Sequence, residues 1–146
     1  MTDKKDEREA RHFVLPMAEL IDRLTVNHIK LAKLKGDKKC FHEEIKKISE
    51  DIDQIISNKN IALSADVIRM IIVISQMNLH IWNNKDEMQA NLENEPEYLR
   101  LLKLAHQLNG IRNSMKNALL EKEGTVEASH IRSNFETDGL DWDFEL

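Results

Sequence analysis

A single cysteine, Cys40, rules out an intrachain disulfide and with it a small secreted fold stapled by such bonds. Four glycines and two prolines in 146 residues are too few for the many turns of a strand-rich sandwich. The longest apolar run, VIRMIIVISQM, is interrupted by Arg69 and falls well short of the roughly 20 residues that cross a bilayer. The first twelve residues, MTDKKDEREARH, lack the apolar stretch of a secretory signal. These absences lead us to expect a soluble, cytoplasmic protein with one core and no membrane partner.

Basic residues are missing from the end of the chain. The last eleven residues hold Glu136, Asp138, Asp141, Asp143 and Glu145 and no Lys or Arg, whereas the rest carries 21 basic and 21 acidic side chains. The whole net charge of −5 therefore sits in the tail. A neutral body without a basic stripe is a poor match for the phosphate backbone of nucleic acid, so no nucleic-acid partner is expected.

What is abundant suits helices: Leu, Ile, Lys and Glu in 3.6-residue patterns. Pro16 opens a first helix whose stripe includes Leu20, Ile21, Leu24, Ile29 and Leu31 and which stops at Gly36. A second spans roughly 38–58 on Phe41, Ile45, Ile48, Ile52, Ile55 and Ile56. Ser64 caps a third that is apolar nearly all round at its start, which predicts the most buried element, and that runs out before Pro96. A fourth, from Pro96, carries Leu101, Leu108, Ile111, Leu119 and Leu120 to Gly124. The expected fold is all-α, an antiparallel four-helix bundle over residues 13–124. A charged N-terminal arm and an acidic-aromatic tail over 125–146 flank it.

The residues that could carry chemistry are mostly polar side chains on helix faces. Glu19/Asp22 and Glu50/Asp53 are carboxylate pairs one turn apart, a spacing that can hold magnesium and that more often faces water or a structural partner. Glu9/His12 and Glu127/His130 match half of a di-iron motif but lie outside the strong helices, and no closed ligand set is present, so no metal is expected. Cys40 has no catalytic frame around it. Gln76, Asn78, His80, Asn83, Asn84, Asp86 and Glu87 surround Trp82, and His106, Gln107, Asn109, Arg112 and Asn113 lie on the partner helix. Amides on apolar stripes need partners, which predicts a buried hydrogen-bond network, gaining charge if Asp22 or Glu19 faces Arg112. It either fixes register or binds a ligand.

Three stretches, MAELIDRLTVNHIKLAKL, NLHIWNNKDEMQ and AHQLNGIRNSMKNAL, resemble a family of small helical proteins of bacteria and tailed phages described only as a domain of unknown function. The family's Glu-x-x-Asp-Arg-Leu element falls on Glu19, Asp22, Arg23 and Leu24. Its Asn, Trp and acidic pair fall on Asn78, Trp82, Asp86 and Glu87, and its Asn-x-x-Arg-Asn element on Asn109, Arg112 and Asn113. Where relatives have His or Glu after the Trp, this chain has Asn83, Asn84 and Lys85. The resemblance covers about residues 15–120, and it implies the helical fold and the polar cluster but no activity.

The tail alternates Leu140, Trp142, Phe144 and Leu146 with acids, the pattern of a strand with one apolar face. It could add to a partner's sheet edge, fill a groove, or fold back on its own bundle. It also loosely resembles the peptides that bind sliding clamps. The expected function is a non-catalytic interaction or accessory protein, self-associating through its apolar surfaces and presenting the tail, with phage origin one possibility. The alternative is a nucleotide-type small-ligand protein, with magnesium as its cofactor, built on Glu19, Asp22, Asn78, Trp82, Asp86, Asn109, Arg112 and Asn113.

Overall fold

Local signals mark the ends of each helix. In the computed structural model, which describes residues 15–124, α1 is Met17–Lys33, with Pro16 before it, Glu19 in its first turn and Lys30 and Lys33 in its last. These charges oppose the helix dipole at both ends. The chain leaves α1 through extended Leu34 and turns at Gly36, whose φ of 98° suits glycine. α2 is Lys39–Lys59 and ends on Asn60 in the left-handed region.

Ser64 then caps α3, Ala65–Ala90, its hydroxyl accepting from the Val67 amide at 3.4 Å. Asn94 accepts from the Glu97 amide at the start of α4, Glu95–Glu123, where Pro96 fits the first turn. A hydrogen bond from Arg100 holds the Glu97 carboxyl below its ordinary range. Gly124 closes α4 at φ 82°. The four predicted helices are present, and no strand occurs among the described residues.

The helices alternate in direction. The Met17 amide and the Lys59 ammonium both meet Glu123, which puts the start of α1 beside the ends of α2 and α4. At that end one core unites all four helices through Met17, Ala18, Leu20, Ile21, Ile48, Ile55, Val67, Met70, Ile74, Leu119 and Leu120. A second core, Val73, Met77, Ile81, Leu108 and Ile111, involves α3 and α4 alone. At 1.5 Å per residue the 29 residues of α4 span roughly 43 Å against about 25 Å for the 17 of α1. The α3–α4 pair therefore outruns its neighbours. No described helix is long and apolar enough to cross a membrane.

One expectation needs correction. α3 is not buried on all sides: Val67, Met70, Ile74, Met77 and Ile81 are covered, but Ile68 and Ile72 are each 49% exposed and Leu79 is 40% exposed. Apolar composition predicts burial only where another element covers the face. The N-terminal arm and the tail, including Leu140, Trp142, Phe144 and Leu146 and the Glu9/His12 and Glu127/His130 pairs, lie outside the described residues.

Candidate functional site

Where α1, α3 and α4 meet, the apolar core gives way to a polar cluster. Asp22, on the turn after buried Leu20 and Ile21, has a side chain only 13% exposed. A carboxylate so placed requires partners. Asn78 donates to Asp22 Oδ1 at 2.7 Å and to Thr25 Oγ1 at 2.6 Å, using both amide hydrogens. Its own oxygen accepts from Arg112 Nη1 at 3.1 Å. Asn78 thereby joins three helices through one side chain.

The cation that meets both carboxylates is Lys116. Its ammonium lies 3.0 Å from Asp22 Oδ2 and 2.7 Å from Glu19 Oε1, with a side chain 7% exposed. The expected contact of Asp22 or Glu19 with Arg112 is thus replaced: Arg112 reaches Asp22 only through Asn78. The reason is spacing. Lys116 stands one turn closer to the α1 start than Arg112, since α1 and α4 run in opposite directions.

The other predicted residues do not converge on this point. Asn109 donates back to the Ala105 carbonyl of its own helix at 3.0 Å. Trp82 is half-buried and one turn beyond Asn78, Asp86 is exposed two turns beyond it, and Asn113 is half-buried on α4. Of the polar residues around Trp82, Asn84 is buried and donates to the Leu101 carbonyl at 3.0 Å, whereas Gln76, His80 and Asn83 are exposed. Glu50 and Asp53 are exposed, as is Cys40.

Two residues escaped the sequence reading. Lys116 looks like any surface lysine until its neighbours are known, and Glu123 looks like the polar end of a helix. The latter is buried, accepting from the Met17 amide at 3.0 Å and from Lys59 at 3.2 Å. A carboxylate there satisfies a free amide of the first turn of α1 and meets the positive end of its dipole.

One cleft of about 180 Å³ is walled by Asp22, Arg23, Val26, Asn27, Lys30 and Glu44. Another of about 100 Å³ lies among His80, Asn83, Asn84, Glu87, Leu104 and Leu108. Among the described residues no group of three or more His, Cys, Asp or Glu side chains could hold a metal ion. Chemically the cluster is an ion-pair and amide network in which Arg112 Nε is covered and unpaired. No family model, curated protein or solved structure matches the chain.

Proposed function

We propose that this is a non-catalytic interaction protein, whose bundle is a scaffold with an open helix face and whose acidic-aromatic tail contacts a protein partner. The observation that carries this reading is a second apolar seam on α3. Ile68, Ile72, Ser75, Leu79 and Trp82 follow one another at spacings of four, three, four and three, which places them on one face in the manner of coiled-coil a and d positions. Three of them expose 40–49% of their surface. The same helix already spends its Val67, Met70, Ile74, Met77 and Ile81 seam on the core.

The polar cluster supports a scaffold rather than a reaction. Both carboxylates bond the Lys116 ammonium, and buried polar networks of this kind fix the register of packed helices. The nucleotide-type alternative calls for Trp82 and Arg112 beside open space, but neither walls the 180 Å³ or the 100 Å³ cleft. Localisation in the cytoplasm, origin in a phage and kinship with the bacterial and phage family belong to the same proposal.

Affinity capture with the full chain tests the tail directly. Proteins retained by the native chain should be lost with Trp142→Ala/Phe144→Ala, and a synthetic peptide of residues 137–146 should compete for them. If the double variant retains the same partners, the tail is not the contact.

A further inference from the structure

The cleft between α1 and α2 is lined by side chains of both signs. Helical spacing builds it, since Asp22, Val26 and Lys30 form one i,i+4 row of α1, Arg23 and Asn27 the next, and Glu44 comes from α2. Among the described residues Arg23, Lys30 and Glu44 enter no ion pair. The Lys30 ammonium lies 5.6 Å from the centre of the Phe41 ring, a contact that positions it without cancelling its charge. Asp22 is held in place from behind by Asn78 and Lys116.

Asn27 is the unexplained member. It is only 2% exposed, and its Nδ2 donates to the Arg23 carbonyl at 2.9 Å, which fixes the orientation of the amide. Its Oδ1 is covered and has no donor. Buried amide oxygens are rarely left so, because water's hydrogen bonds have been given up for nothing. Flipping the group would aim its oxygen at the Arg23 carbonyl and orphan the NH2 instead.

We infer that this cleft binds a small zwitterion, with a primary ammonium placed among Asn27, Asp22 and Glu44 and an oxyanion on Arg23 and Lys30. A ligand of one sign would leave either Glu44 or the Arg23 and Lys30 cations without a counter-charge. An ammonium that reached Asn27 Oδ1, which is covered in the structure, would supply the donor it lacks. The volume of about 180 Å³ suits an amino acid or a phosphorylated amino alcohol.

Amide chemical-shift titration of the full chain tests the site with glycine, L-glutamate and O-phosphoethanolamine, and with acetate and methylammonium as single-charge probes. At millimolar concentrations at least one zwitterion should shift resonances of residues 22–30 and 44, and the single-charge probes should not. A carboxylate or a phosphate as the preferred oxyanion would each support the site and would name the ligand class. Arg23→Ala and Glu44→Ala alter exposed side chains and should leave the fold intact while weakening binding about tenfold or more. The site is refuted if no zwitterion shifts these resonances, if acetate shifts them as strongly, or if both variants bind as the native chain does.

Discussion

A lysine with 7% of its side chain exposed is expensive to bury, and Lys116 is tolerated only because two carboxylates receive it. Breaking such a group from one side is worse than never building it, since the partners stay behind without compensation. Lys116→Met keeps the length of the side chain and removes the charge. We expect it to lower stability by about 3 kcal/mol in urea unfolding near neutral pH. A small loss would show that Lys116 is not the counter-charge.

At the scale of elements, most of the architecture is written in signals that act within a few residues. Ser64 as a cap, Pro96 in a first turn and Gly124 at a C-terminus place helix ends that the structure matches to within about three residues, because these effects need no tertiary partner. Contacts between elements were legible only in kind. That Asn78 and Asp22 needed partners followed from their positions on apolar stripes. That Lys116 would answer Asp22 depended on the relative register of α1 and α4, which no local pattern encodes. Glu123 is the clearest case, since it ties the first turn of α1 to the ends of α2 and α4 from the last turn of its own helix. Glu123→Gln keeps an acceptor for the Met17 amide and should cost about 1 kcal/mol, the charge component. Glu123→Ala leaves that buried amide unpaired and should cost about 2–3 kcal/mol. Most of this belongs to the amide bond, because Lys59 is 43% exposed and adds little. Amide exchange at Met17 should quicken in the alanine variant and much less in the glutamine one, and equal losses in both would remove the capping role.

For the molecule as a whole, the bundle could be inferred from periodicity, but which face of α3 it covers could not. The run from Val67 to Ile81 contains two interleaved seams, and a sequence does not say whether the second is filled by the same chain or by another. In the structure the first seam packs on α4 and in the four-helix core, and Ile68, Ile72 and Leu79 remain open. A second copy is one occupant such a face admits. Two α3 helices can pair antiparallel about a two-fold axis near Ser75, whose small side chain lets the backbones approach while Ile72 meets Leu79 and Ile68 meets Trp82 from either side. Between Asp66 and Asp86 the helix carries only Arg69 and Lys85 as formal charges, and neither occupies the seam. Ile72→Glu/Leu79→Glu would set four carboxylates against each other in that pair while touching little of the monomer core. Sedimentation equilibrium should then show the native chain associating and the double variant monomeric, with thermal stability of the monomer changed by less than about 1 kcal/mol, as befits half-exposed positions. A native chain that stays monomeric at all concentrations would reserve the seam for a different protein. A double variant that still dimerises would move the interface off α3.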